Sequence, residues 1–140
     1  MFDNNCIVLS GTKKFKTITY PFFYKNNCEF INMLSKSLMN DKEAKKYPEI
    51  IKFAFWSRES NLDKIYNSFD KNLLKFGRGT CLHILPGNTS INFAYSFVFG
   101  LLSGNSNILR VPHIDNLISI ISKKINTLLL KKKFKNIKNS

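Results

Sequence analysis

Gly77 to Pro112 reads GRGTCLHILPGNTSINFAYSFVFGLLSGNSNILRVP and holds five of the six glycines and two of the four prolines. The short apolar run Thr80 to Leu85 is bounded by breakers, as expected of a strand buried on both faces of a parallel sheet. Pro86-Gly87-Asn88 is a turn, and Ile91 to Ser103 is apolar on nearly every side, as in a buried helix capped by Thr89 or Ser90. Gly104-Asn105 tolerates the left-handed conformation that closes a helix. Asn107 to Val111 is a second short strand, and Pro112 stops it. The sum is strand, helix, strand, which are parallel strands joined by a crossover helix. Ligands of open α/β sheets bind beyond the strands' carboxyl ends. A site here is therefore expected near Asn88, where the first strand opens into the helix.

Upstream the pattern is mostly helical. Phe15 to Tyr20 alternates like a strand, and with Cys6 to Leu9 it could form a hairpin turning near Ser10-Gly11. A helix is expected from about Glu29 to Met39, with Phe30, Ile31, Leu34 and Leu38 on one face. Asn40-Asp41 can close it and cap a short turn over Lys42 to Lys46. Pro48 suits a first helical position, and EIIKFAFWSRE follows it with a wide apolar arc. Leu62, Ile65, Tyr66, Phe69 and Leu73 continue a helical stripe to about Lys75. Downstream, Asp115 or Asn116 can cap a last helix aligning Leu117, Ile118, Ile121, Ile125, Leu128 and Leu129. The expected organisation is a helical region over 1–76, an α/β unit over 77–131 and a disordered basic tail over 132–140.

Composition narrows the class. The net charge is +13, from 22 basic and 9 acidic residues. Only Arg58, Arg78 and Arg110 are arginines, so 19 of the basic residues are lysine, beside 17 asparagines and 13 phenylalanines. That joint enrichment reads as compositional bias of the source more than as selection for an anionic partner. A small basic nucleic-acid binder using the tail KKKFKNIKNS is the weaker alternative, since Phe134 is the tail's one aromatic residue. The cysteines Cys6, Cys28 and Cys81 share no metal-ligand spacing and are odd in number, which argues against a metal site or disulfide framework and for a reduced cytoplasmic compartment. The start MFDNNCIVLSG does not read as a signal peptide, and the longest apolar run falls far short of a membrane span.

Two segments together carry a specific match: YPEIIKFAFWSRESNL (Tyr47 to Leu62) and the Gly77–Pro112 stretch. In them Trp56-Ser57-Arg58, Gly77-Arg78-Gly79 with His83, Pro86-Gly87-Asn88, Gly100-Leu101-Leu102 before Gly104-Asn105, and Arg110 resemble the long-chain acyl-CoA reductase family of the bacterial luminescence type. That family belongs to the aldehyde dehydrogenase superfamily, and the likeness extends over about Cys28 to Ile121.

The resemblance implies an aldehyde-dehydrogenase-like, Rossmann-type sheet and the NADPH-dependent reduction of a long-chain acyl thioester to fatty aldehyde through a cysteine acyl-enzyme. It places Asn88 as a donor to the oxyanion. It places Arg110 at the cofactor's adenosine ribose, where an arginine could also hold a 2′-phosphate bidentately and so favour NADPH. The family's glycine-rich cofactor turn and its nucleophilic cysteine lie beyond the second crossover helix, so none of Cys6, Cys28 and Cys81 takes the nucleophile's role. The chain is thus expected to be the N-terminal part of the enzyme and inactive alone, with acyl-CoA or an acyl-protein thioester as substrate. The missing catalytic half or other fatty-acid reductase subunits would be its partners. A non-catalytic remnant or interaction module that keeps the family's packing without its chemistry is the alternative. His83, Arg78, Trp56, Arg58, Asn92 and Asn105 read as packing, turn, cap and corner residues.

Overall fold

In the computed structural model, which describes residues 7–13 and 16–139, the glycines and prolines punctuate the chain into two strands and six helices. Helix α1 (Lys25–Met39) leads to a short 3-10 turn (Ala44–Lys46), then α2 (Pro48–Trp56) and α3 (Glu59–Asn67). Strand β1 (Thr80–Ile84), α4 (Asn92–Leu102), β2 (Ser106–Arg110) and α5 (Asn116–Leu129) follow, and a 3-10 turn (Lys132–Phe134) and α6 (Lys135–Lys138) close the chain. The strands pair in parallel with Thr80 opposite Ser106 and Ile84 opposite Arg110. The α/β arrangement with a crossover helix is the one expected.

The core follows the apolar stripes. Phe30, Ile31, Leu34 and Leu38 of α1 are fully buried, and α1 packs against α2, α3, α4 and α5. Each such side chain removed from water contributes about 1.5 to 3 kcal/mol. Ser35 Oγ donates to Ala54 O at 2.5 Å, and Asn27 Nδ2 donates to Leu101 O at 2.8 Å, so α1 is also pinned to α2 and α4 by polar contacts inside the core. Asp41 accepts from Ala44 N at 2.8 Å and caps the short turn as expected. The buried cluster is continuous across residues 76 and 77.

One backbone crossing explains two glycines. Tyr20 threads between Gly77 and Gly104: Tyr20 N donates to Gly104 O at 2.9 Å, and Gly77 N donates to Tyr20 O at 3.0 Å. A Cβ on Gly77 would lie 1.9 Å from Gly104 O, and one on Gly104 would lie 2.1 Å from Tyr20 O. Gly104 also has φ +78°, the left-handed closure expected at that corner.

Five expectations need correction. β1 is not buried on both faces: Cys81 and His83 are half-buried, whereas Leu82 and Ile84 on the opposite face are 60% and 70% exposed. A two-stranded sheet covered by one helix has no second layer on that side. The stripe through Phe69 and Leu73 does not extend α3, which stops at Asn67. Ser68 Oγ bonds back to Ile65 O and Asp70 takes Asn72 N, local bonds that compete with the helix. α4 has Ile91 as its N-cap, because Ser90 spends its hydroxyl elsewhere. No hairpin forms among the described residues near the N-terminus; Pro21 instead makes an isolated antiparallel bridge to Phe76, and Cys6 and Phe15 fall outside the described residues. Finally, residues 132–139 do not fray: Phe134 is fully buried, its ring centroid 5.0 Å from that of Phe30 and edge-on to it, and Ile137 is buried too.

Candidate functional site at the strand ends

Both strands end side by side, and the loops that leave them meet. Leu85 N donates to Arg110 O at 3.2 Å, which closes the ladder. From there Pro86-Gly87-Asn88 turns outward, while Val111-Pro112-His113 leads to α5. Gly87 faces the Pro112 ring, 3.6 Å from where a Cβ would sit. Asp115 accepts from Ile118 N at 2.8 Å and so caps α5. Its other oxygen receives the Ser90 hydroxyl, which joins the two loops.

A cleft of about 420 Å³ opens at this junction, lined by Tyr47, Glu49, Asn88, Thr89, Ser90, Ile91, Asp115, Asn116 and Leu117. The N-terminal ends of α2, α4 and α5 border it, each carrying the partial positive charge of unsatisfied N–H groups. Glu49 in the first turn of α2 and Asp115 at the cap of α5 answer two of these ends. Among the described residues no lysine or arginine lines the cleft. Partial burial pushes the Asp115 carboxyl up, but the bonds from Ile118 N and Ser90 and the nearby His113 outweigh it and hold it below the usual carboxylate range.

Ser90, Asp115 and His113 do not form a nucleophilic triad. The carboxylate is central, taking the serine hydroxyl directly and standing 3.9 Å from His113 Nε2. Activating the serine would need the imidazole against the hydroxyl, with the carboxylate behind it.

Asn88 lies exposed on the cleft's rim, where the first strand opens into the helix, and no other described residue hydrogen-bonds its side chain. Arg110 ends β2 at the same end of the sheet, exposed, without a carboxylate partner among the described residues, and it does not line the cleft. The structure thus joins Asn88 to Ser90 and Asp115, and leaves Arg110 one strand over. Ser90 and Asp115 were visible in the sequence only as caps. Their partnership spans 25 residues and leaves no local signal.

The remaining candidates are structural. His83 Nε2 meets Asn107 Oδ1 at 3.0 Å beneath α4. Arg78 N donates to Asn105 Oδ1 at 2.7 Å, which makes Asn105 a corner residue. Arg58 stacks over Phe55 at 3.5 Å, and Trp56 packs against Phe53, Tyr95 and Phe99. Cys28 lines a second cleft of about 340 Å³ between α1 and α3, where burial and then Asp63 push its thiol up to about 11. Such a thiol carries almost no thiolate at neutral pH. Cys81 lies half-buried on the face under α4. No group of three or more His, Cys, Asp or Glu side chains is arranged to hold a metal among the described residues, and no described helix is long and apolar enough to cross a membrane.

A family model described as acyl-CoA reductase (LuxC) matches residues 15–132. No curated protein and no solved structure matches the chain.

Proposed function

The chain belongs to the acyl-CoA reductase (LuxC) family, and we propose that it serves the NADPH-dependent reduction of a long-chain acyl thioester to fatty aldehyde on a Rossmann-type, aldehyde-dehydrogenase-like sheet. The observation that carries this reading is the position of Asn88, unpartnered among the described residues on the rim of the cleft at the strand ends. Its Nδ2 would donate to the acyl oxygen as the carbonyl carbon becomes tetrahedral and negative charge collects on that oxygen. One such donor is worth about 100- to 1000-fold in rate.

Arg110 suits the cofactor's 2′-phosphate. It stands at a strand's carboxyl end with its guanidinium exposed and no described carboxylate competing for it. NADPH, when bound, would supply the hydride. The acyl-accepting cysteine is proposed to come from outside these 140 residues, in further sequence or a partner chain, because the resemblance places it beyond the second crossover helix, the Cys28 thiol is pushed to about 11, and among the described residues His83 is engaged by Asn107 and not by Cys81. Acyl-CoA or an acyl-protein thioester would be the substrate, and other fatty-acid reductase subunits the partners. The exposed Leu82 and Ile84 favour work against additional protein, which an interaction module would share.

The test is NADPH oxidation and aldehyde formation from long-chain acyl-CoA by the cell-derived reductase containing these residues. Asn88→Ala should lower kcat about 100-fold or more with little change in KM, and Arg110→Leu should raise KM for NADPH more than for NADH. An Asn88→Ala enzyme of unchanged kcat overturns the oxyanion role. Enzyme-like reduction by the purified 140-residue chain overturns the external cysteine.

A further inference from the structure

The turn that carries Asn88 hangs between two fasteners, and both are anchored where β2 exits. Upstream, Leu85 N donates to Arg110 O at 3.2 Å. Downstream, the Ser90 hydroxyl donates to Asp115 Oδ2. Among the described residues no hydrogen bond holds the backbone N–H groups of residues 87–91. The conformation of Asn88 therefore depends on where those two fasteners hold the chain.

We infer that Ser90 and Asp115 are positioning residues for Asn88, a latch that ties its turn to the start of α5 and so aims its amide into the cleft. The inference rests on the reading of Asn88 given above and deepens it. Asp115 suits the task because both oxygens are committed, Oδ1 to Ile118 N at 2.8 Å and Oδ2 to Ser90. A carboxylate held by a helix N-terminus cannot swing away with the loop, so it transmits the rigidity of α5 to the turn. The bond is charge-assisted and partly buried, the stronger class of hydrogen bond. Beyond the latch, Asn92 N donates to Thr89 O at 3.2 Å and starts the coil of α4, so displacement at Ser90 reaches both Asn88 and the helix start. The other titratable groups facing Asp115 are His113 on its own loop, and Glu49 and Tyr47 across the cleft.

The latch can be tested in the whole chain by NMR, without catalysis. Ser90→Ala should raise the pH midpoint of the Asp115 carboxyl carbon. It should also increase the fast motion of the Asn88 side-chain amide and speed amide exchange at Asn92 about tenfold. Ser90→Thr, which keeps the hydroxyl, should restore all three, whereas a merely space-filling serine would leave the Asp115 midpoint unmoved. In Asp115→Asn the Asn88 resonances should no longer follow the acid titration seen in the parent. Far-UV circular dichroism confirms that each variant is folded. A folded Ser90→Ala chain with unchanged Asn88 motion overturns the latch, as does an Asn88 titration that persists in Asp115→Asn. The outcome is separable from catalysis: a latch that behaves as described, beside an Asn88→Ala reductase of normal kcat, retains the positioning and discards the oxyanion role.

Discussion

Asn107 occupies the space left by the missing side chain of Gly100. A Cβ there would lie 1.8 Å from Asn107 Oδ1, and that same oxygen lies 3.0 Å from His83 Nε2 across the sheet. Asn107 Nδ2 donates to Asn105 O at 2.8 Å, so Oδ1 is the acceptor and His83 must present a protonated Nε2. A histidine so engaged is part of the helix–sheet seam, and Nε2 is closed to a role as general base.

Gly100→Ala should therefore cost about 1 to 3 kcal/mol, because Asn107 must leave both partners to admit one methyl group. Urea unfolding measures it. Asn107→Ala in the same background should recover part of the loss, a coupling that a double-mutant cycle reads directly. Additive losses would show that the two residues do not share the seam.

Glycines differ in how much they matter. Gly104→Ala should lower the melting temperature strongly, since its left-handed backbone and the Tyr20 carbonyl at 2.1 Å both oppose a Cβ. Gly87→Ala, with only the Pro112 ring at 3.6 Å, should be close to neutral. Equal effects in thermal unfolding would refute the ranking.

Phe134→Ala should destabilise by about 3 to 5 kcal/mol, the cost of deleting a fully buried aromatic ring against Phe30. Lys132→Ala, exposed in the same turn, should be nearly silent. A silent Phe134→Ala would mean that the basic C-terminal segment is not docked.

Acid should weaken the fold through Asp41 and Asp115. The hydrogen bond from Lys124, then that from Ala44 N, holds the Asp41 carboxyl low, and Asp115 is held low by its cap bonds despite burial. A carboxyl depressed in the folded state contributes stability above its unfolded value, ~3.9 for aspartate, and loses it as pH falls through the folded value. The urea midpoint should thus hold down to about pH 5 and then fall as pH drops through ~3.9 and the lowered folded values, and Asp115→Asn or Asp41→Asn should each flatten part of that fall. A midpoint that holds steady on acidification contradicts the assignment.

Cys28 should resist alkylation. With its thiol at about 11, it carries about a hundredfold less thiolate near pH 8 than an ordinary cysteine. Mass spectrometry after iodoacetamide treatment should find Cys28 unmodified until the chain is unfolded. Rapid labelling in the folded chain would contradict the raised thiol.

Sequence by itself determined the elements whose signals are local. The breakers at Gly79, Pro86, Gly104 and Pro112 delimited β1, α4 and β2, and the stripe from Leu117 to Leu129 delimited α5, because turn chemistry and helical periodicity act over a few residues. Asp41 and Asp115 were legible as caps for the same reason. The motifs around Trp56 and Asn88 identified the family. Tertiary structure alone decided what depends on which surfaces meet. Leu82 and Ile84 look like a buried strand but face outward, because no described element lies over them. Phe69 and Leu73 fit a helix but stay exposed beyond its end, Phe69 meeting only the edge of Phe22 among the described aromatic rings, while Phe134, in a run of lysines, is fully buried against Phe30. The same holds at the site: Ser90 and Asp115 each have a local use in capping, and only the convergence of two parallel strand ends makes them one contact that reaches Asn88.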